Sequence, residues 1–362
     1  MDPHSQFCHT PTCPARGQPG QGNIVIHSQW ERRYRCSVCR RTFSARWGTP
    51  YYRGHVPAAD QTRVLTLLAY GCPVEAAARA FGYQPRTIRR WVLVAGLHAQ
   101  AVHTELVQQP RNLEHVQADE IRVRAQGQIF WMALALMVST RLWLGGVVSP
   151  TRDRALINQL AVQIRACAGV APLLVAVDGL SSYVGALRRA FRERVPTGGR
   201  GAPRKVIWAE LVIGQVVKEY ARRRVVGVAH WIAQGTATAA VALLQRTGSQ
   251  VLNTAYIERL NGTFRQRLAG LARRTRHGLR KQASLEAGMY LVGTVYNFCT
   301  EHNSLTMRGQ QRTPAMAAGL TDHCWTVEEL FWHQVPPARW QPSKQRGRRS
   351  KALQALITRW AA

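Results

Sequence analysis

Three acidic residues of this 362-residue sequence stand at positions where a carboxylate is expected to have a binding partner or a functional role. Asp119 lies inside an apolar run that predicts a buried strand, and Asp178 ends the apolar segment 173–177. Glu258 opens a segment with helical spacing. A charged group is costly in apolar surroundings unless it is paired. Because hard divalent cations bind carboxylate oxygens that converge from several elements, the three residues predict a divalent-metal site.

Other acids near these positions leave alternatives open. Glu120 follows Asp119, and side chains of a strand alternate between its faces, so we choose Asp119 for the site. Asp178 could instead cap the next helix. Two more acids, Glu210 and Glu219, remain rivals for the third position.

The segment that begins near Glu258 predicts an amphipathic helix. Asn261 and Arg265 follow at three and seven residues and share its face, where they are expected to steady the acid and a phosphate, respectively. Eight Lys or Arg residues and no acid occur from position 259 to 281. Nucleic-acid contacts are therefore expected from Arg273, Arg274 and Arg276. A solvated helix with an acid near its N-terminus is the alternative.

Four cysteines near the start have the spacing of a structural zinc site: Cys8, Cys13, Cys36 and Cys39. A segment of this size has too little apolar material for its own core, so zinc is expected to stabilise its fold. His9 or His27 could replace one ligand. Basic and aromatic residues alternate around the second pair, and Arg40 and Arg41 are expected to contact DNA phosphates. A purely structural ribbon is the alternative.

The segment from about residue 60 to 103 has the pattern of a helix-turn-helix. The spacing of Ala78, Gly82, Ile88 and Trp91 would let two helices approach, allow a sharp turn and fix the second helix to the core. The opposite side of that helix is then expected to face the major groove through Arg86, Thr87, Arg89 and Arg90. A plain helical linker is the alternative.

The elements that would position the acids follow from the hydrophobic pattern after residue 114. It predicts strands 116–123, 129–138, 142–149 and 173–177, helices 155–167 and 183–192, and a strand 206–208 before further helices. Three strands followed by alternating helix and strand indicate a mixed sheet with helices on its faces.

Composition limits the partner class. The formal charge of +30 indicates a polyanionic partner. The most apolar segment, 129–148, is interrupted by polar residues and predicts strands, so no membrane insertion is expected. Without a secretion signal, we expect a reducing cytoplasm and association with the nucleoid.

These motifs resemble the IS1-like family of insertion-sequence transposases and, more broadly, the RNase H-like transposases and integrases. The resemblance spans nearly the whole chain and rests on Cys36-Ser-Val-Cys-Arg-Arg-Thr-Phe-Ser, Asp119-Glu120, Val177-Asp178-Gly179, Glu258-Arg-Leu-Asn-Gly-Thr-Phe-Arg, Tyr296-Asn-Phe and Arg312-Thr-Pro-Ala. It implies an α/β RNase H-like mixed sheet with flanking helices. It also implies Asp119, Asp178 and Glu258 as ligands of Mg²⁺ or Mn²⁺ in phosphodiester hydrolysis and strand transfer at terminal inverted repeats. The spacing of Cys8 and Cys13, and Arg122 where relatives often carry an aromatic residue, depart from the family pattern.

The resemblance completes a predicted domain order. A zinc ribbon (1–55) and a helix-turn-helix (56–107) precede a catalytic domain (108–305) and a basic C-terminal region (306–362). The expected partners are double-stranded DNA and further copies of the chain, with no small-molecule substrate. Two rivals share these features: a structure-selective nuclease that cuts without joining, and a DNA-binding regulator without chemistry.

Overall fold

The computed structural model describes residues 1–196, 202–222, 224–272, 280–343 and 347–361. Its chain divides into two compact units. We call Ala59–Phe331 the sheet unit, and Met1–Ala58 together with Trp332–Ala362 the cysteine unit.

The described residues form thirteen strands and eleven α-helices. The strands are β1 (Ile24–Ser28), β2 (Arg33–Cys36), β3 (Thr42–Ser44), β4 (His115–Ala125), β5 (Gln128–Met137), β6 (Trp143–Ser149), β7 (Leu173–Asp178), β8 (Arg192–Val195), β9 (Arg204–Ile207), β10 (Leu211–Ala221), β11 (Arg224–Gln234), β12 (His302–Met307) and β13 (Gln310–Arg312). The helices are α1 (Ala58–Ala69), α2 (Val74–Phe81), α3 (Pro85–Leu106), α4 (Arg154–Cys167), α5 (Ser182–Ala190), α6 (Ala237–Arg246), α7 (Ala255–Arg267), α8 (Gln282–Cys299), α9 (Pro314–Ala317), α10 (Val327–Trp332) and α11 (Lys351–Trp360).

A six-stranded mixed sheet forms the centre of the sheet unit, in the order β11-β10-β7-β4-β5-β6. Strands β4, β5 and β6 are antiparallel neighbours, whereas β7 and β10 run parallel to β4. Strand β11 returns antiparallel along β10. Strand β7 is a continuous apolar run before Asp178 because both of its faces are buried. The predicted α/β class with a mixed sheet and flanking helices is therefore confirmed.

Helices cover both faces of this sheet. On one face, Leu160 of α4 and Leu187 of α5 pack in one cluster with Ala118 of β4. On the other face, Phe264 of α7 and Met289 of α8 pack in one cluster with Ile121 of β4. Successive residues of β4 thus face different helices, as strand alternation requires.

The three N-terminal helices belong to the sheet unit. Helix α2 ends at Gly82, whose φ of 71° is left-handed, and α3 starts with Pro85. Ile88 of α3 is buried in one cluster with Ala77 and Ala78 of α2. Further along, α3 packs closely on α8, because a Cβ added at Gly96 would lie 2.4 Å from the carbonyl oxygen of Ala287.

The cysteine unit contains the antiparallel sheet β1-β2-β3 and the last helix. Trp360 of α11 is 3% exposed and belongs to the buried cluster that contains Tyr34, Phe43 and the cysteines. Gln18 Nε2 donates to the Trp360 carbonyl at 2.7 Å. The C-terminal helix is therefore part of the core of this unit.

Two features differ from the sequence-based expectations. Only further helices were expected after the strand 206–208; the structure places β10 and β11 before those helices. Strand β9 ends at Ile207, before Trp208. In the part of the chain that the structure describes, no helix is long and apolar enough to cross a membrane.

Candidate metal centres

Strand register brings two of the predicted acids side by side. Ala118 of β4 pairs with Val177 of β7, so Asp119 and Asp178 are the next residues along two parallel strands. Side chains at equal levels of neighbouring strands point to the same face. Asp119 is partly buried, whereas Asp178 lies at the end of its strand.

Glu120 joins these acids although it leaves β4 on the opposite face. One carboxylate oxygen from each of Asp119, Glu120 and Asp178 lies within 4.8 Å of the others. Tyr183 of α5 donates its hydroxyl proton to Glu120 Oε2 at 2.8 Å. Glu120 is therefore held on one side by α5.

Arg152 neutralises part of this cluster. Its guanidinium forms a salt bridge with the buried Glu120 and reaches Asp178 Oδ2 at 3.4 Å. It also lies over the ring of Trp131 at 5.1 Å. Arg152 comes just before Asp153, which caps α4 by accepting from two backbone amides. The start of α4 thus fixes the arginine beside the acids.

Gln117 fixes the start of α7 relative to the acids. This buried β4 residue accepts from the backbone amides of Tyr256 and Ile257 at 2.9 and 3.0 Å. Two of the amides at a helix start are thereby satisfied. One turn further along, Asn261 Nδ2 donates to Asp119 Oδ2 at 2.7 Å. Asn261 was expected to steady Glu258 of its own helix, whereas its amide contacts Asp119 instead.

Glu258 lies on the same side of α7 but has its own partners. Its Oε1 accepts from Lys218 Nζ of β10 at 2.5 Å and from Thr254 Oγ1 at 2.9 Å. Burial acts to raise the pKa of Glu258, but these two hydrogen bonds outweigh it and leave the pKa below its usual value. Glu258 is therefore a charged, paired carboxylate beside the three clustered acids.

Burial and mutual repulsion dominate the electrostatics of the cluster. Burial, followed by the charge of Glu120, raises the pKa of Asp119 to about 7. Burial also raises the pKa of Glu120, against the opposing contacts of Tyr183 and Arg152. Acids at this separation resist simultaneous ionisation unless a cation joins them.

The donor set fits a divalent cation. Its oxygens come from β4 and β7, and all are carboxylates. Asn261 is 2% exposed, and its Oδ1 has no hydrogen-bond partner among the described residues. A buried amide oxygen without a partner beside an acid cluster is a further hard ligand atom.

The other candidates for this site lie apart from it. Arg265 is exposed, and within the described ranges no ion pair joins it to an acid. Glu210 precedes β10 at the level of Leu173, the opposite end of β7 from Asp178. Glu219 is exposed and adjoins Gly227 of β11. Strand register thus favours Glu258 over both rivals.

The four N-terminal cysteines form a second cluster, compatible with structural zinc. Cys8 Sγ lies 3.6 Å from Cys39 Sγ, and Cys13 Sγ lies 3.9 Å from Cys36 Sγ. All four sulfur atoms lie within 4.8 Å of one another. This compact set fits a tetrahedral thiolate site.

Neither histidine alternative enters the four-sulfur set. His9 packs between the rings of Phe43 and Trp47 at 4.9 and 5.4 Å. Burial, then the charge of Arg16, lowers the pKa of His9 to about 4. His27 is exposed on β1.

The basic residues predicted to contact DNA are mostly exposed where the structure describes them. Arg86, Arg89 and Arg90 are exposed on α3, and Thr87 is half-buried. Arg89 pairs with Glu75 of α2. Arg40 and Arg41 are exposed between β2 and β3. The remaining three, Arg273, Arg274 and Arg276, lie outside the described residues.

Comparison of the sequence with protein-family models finds no match, and comparison with curated proteins finds none.

Sequence reasoning set Glu120 aside and missed Arg152, Tyr183 and Lys218. The adjacency of Asp119 and Glu120 was a signal for the first. Position before a helix cap was a weak signal for Arg152, because Asp153 predicts that α4 starts beside the strand ends. Tyr183 and Lys218 carry no local signal, since their roles depend on which elements pack together.

Proposed function

We propose that the chain is a DNA transposase that cuts and joins DNA ends with an Asp119, Asp178 and Glu258 site. The observation that carries this proposal is the convergence of β4, β7 and α7, which brings two aspartates to one level and adds Asn261 and Glu258 beside them. The formal charge of +30 supports a nucleic-acid substrate.

The sheet order supports an RNase H-like catalytic domain. Three antiparallel strands β4, β5 and β6 are followed by the parallel strands β7 and β10. Acids at the carboxyl end of β7 and on the adjacent β4 lie where open α/β sheets hold their ligands. The α2 and α3 pair, with its Gly82 turn, supports a helix-turn-helix reader.

The acids would hold Mg²⁺ or Mn²⁺, which when bound activates the attacking oxygen and stabilises the leaving oxygen. Asp119 and Asp178 present oxygens to a common point, and Glu120 offers a third. Asn261 occupies one oxygen of Asp119 with its amide and thereby sets which oxygen remains available.

The basic residues of the site, Arg152 and Lys218, would contact DNA phosphates. Arg152 and Lys218 neutralise carboxylates in the absence of substrate. Both are about one-third exposed, so a phosphate can reach them. Guanidinium and ammonium groups that turn from carboxylates to phosphates would keep the site neutral as DNA enters.

Replacing Glu258 by glutamine tests the assignment of the third acid. The change keeps the shape and the contact with Thr254 but removes the charge, so cutting and joining of the element's ends with Mg²⁺ should fall by several orders of magnitude. Affinity for those ends should persist or rise, because a phosphate-repelling charge is lost.

Glu210→Gln and Glu219→Gln are the matched controls and should cut at the wild-type rate. Near wild-type activity of Glu258→Gln together with a dead control would refute the third acid. Cutting without joining in the wild type would indicate a nuclease, and end binding without cutting a regulator.

A further inference from the structure

We propose that the cysteine unit contains a pocket for one unpaired nucleotide of DNA. The pocket has a volume of about 380 Å³ and is lined by the aromatic rings of Trp30, Tyr52 and Trp332. It is separate from the cluster of acids and belongs entirely to the cysteine unit. The inference rests on the proposed DNA partner but not on the proposed chemistry.

The aromatic lining fits a nucleobase. Trp30 is 96% exposed, so burial of its ring contributes almost nothing to the stability of the protein. Tyr52 is held by the ring of Trp47 at 4.7 Å, and Trp332 by the ring of Tyr51 at 4.8 Å. One exposed and two supported aromatic side chains around one cavity can stack on a base from more than one side.

Charge favours a nucleotide over an uncharged ring. Arg32, Arg46 and Arg53 line the same pocket as the three aromatic side chains. Guanidinium groups bind phosphate oxygens in a fork. The carboxylate of Glu31, also in the lining, can accept a hydrogen bond from a base amino group. The aromatic side chains and Glu31 therefore suit the base of a nucleotide, and the arginines suit its phosphate.

The backbone around the pocket is already in place without a ligand. Ala45 N donates to Arg32 O at 2.9 Å, and this hydrogen bond joins two of the segments that line the pocket. Gln334 Nε2 donates to the carbonyls of Ala45 and Trp47 at 2.9 and 2.8 Å. Arg32 and Arg53 both have left-handed φ angles, of 52° and 56°. Such a conformation is unfavourable for arginine and persists where surrounding contacts maintain it.

The shape of the site selects an unpaired nucleotide. A base inside a duplex is stacked on both sides and paired at its edge, so it cannot enter a cavity between aromatic rings. An unpaired base at the end of a strand has both faces free for stacking. We therefore assign the pocket to a terminal overhang of DNA.

The test compares two short duplexes of the same sequence, one blunt and one with a single unpaired 2-aminopurine nucleotide at a 3′ end. Full-length, zinc-loaded protein should bind the overhang duplex about tenfold more tightly, as stacking of one base on an aromatic ring provides. The 2-aminopurine fluorescence should fall on binding. A wild-type protein without this preference would overturn the proposal.

Trp30→Ala should reduce affinity for the overhang duplex to that of the blunt one and leave blunt binding and zinc content unchanged. Trp231→Ala is the control, since Trp231 is another exposed tryptophan, 62% exposed on β11. A preference that survives Trp30→Ala, or that both variants lose, would overturn the assignment. Arg53→Gln should also reduce the preference, because it removes one phosphate contact.

Free deoxyadenosine monophosphate is the second probe. It should compete only weakly with the overhang duplex, because it lacks the duplex contacts. Competition as strong as that of the oligonucleotide would assign the pocket to a free nucleotide instead. Failure of the transposase proposal gives a different result, in which the overhang preference persists while no DNA is cut.

Discussion

Replacing Arg152 by glutamine should tighten the binding of divalent metal to the DNA-free protein. Arg152 contacts the carboxylates of Glu120 and Asp178, two groups of the cluster that offers oxygens to a cation. The guanidinium and a metal ion therefore compete for the same oxygens. Removing the guanidinium leaves these carboxylate oxygens free to bind the metal ion.

The expected change in Mn²⁺ affinity follows from the distance between Arg152 and the carboxylates and from the exposure of the Arg152 side chain. Two unit charges about 4 Å apart interact by about 4 kcal/mol at an effective dielectric constant near 20. The Arg152 side chain is 36% exposed, so solvent screens part of this energy. We expect about 1 to 2 kcal/mol, which corresponds to a dissociation constant for Mn²⁺ that is about 5- to 30-fold lower.

Isothermal titration of Mn²⁺ into the DNA-free protein measures this change. Arg154→Gln is the matched control, since Arg154 is exposed on the same helix start and forms no ion pair with the acids in the described chain. Its Mn²⁺ affinity should equal that of the wild type. Unchanged or weaker Mn²⁺ binding by Arg152→Gln would refute the competition between guanidinium and metal.

Three further predictions concern other parts of the chain. Cys36→Ser combined with Cys39→Ser should remove the bound zinc, measured by elemental analysis, and unfold the cysteine unit; full zinc occupancy would contradict the site. The four reader positions of α3 are Arg86, Thr87, Arg89 and Arg90. Alanine at all four should abolish the preference for terminal repeats over random DNA in competition binding, and an unchanged preference would place recognition elsewhere. Burial lowers the pKa of His103 to about 4, so the stability it contributes is complete above pH 6.5 and is lost as the pH falls toward 4, by up to about 3 kcal/mol. His103→Gln should reduce the slope of the unfolding free energy against pH, while other buried histidines such as His115 still contribute to it, and an equal slope in both proteins would refute this.

The part of the fold that sequence could predict is the part with strong local patterns. The runs that form β5 to β7 are largely apolar, and the predicted bounds of β4 to β7 lie within a few residues of the observed ones. Strands β10 and β11 were missed; in β10 the charged residues Lys218 and Glu219 interrupt the apolar pattern. Lys218 pairs with Glu258 of α7, and the local sequence carries no information about that contact.

The acids of the candidate site could be predicted from the sequence. The basic residues that pair with them, Arg152 and Lys218, could not. Asp119 and Asp178 each stand out as an acid next to an apolar run. Glu120 was set aside because strand alternation sends it to the other face, and it does leave β4 on the side of α5. Its oxygen nevertheless reaches the cluster, since glutamate is long and β7 ends at this level. Alternation decides the face of a Cβ, not the reach of a carboxylate.

The burial of Trp360 beside the cysteines has a consequence for the order in which the protein is made. The ribbon strands leave the ribosome early, but the last helix that completes their core follows about 300 residues later. At translation rates of about 5 to 20 residues per second, this interval lasts on the order of 15 to 60 seconds. During that time the ribbon can acquire its metal while one side of its core is still uncovered. The sheet unit, whose segments are contiguous in the chain, can fold meanwhile. The ribbon strands are therefore completed only after the whole sheet unit has been synthesised.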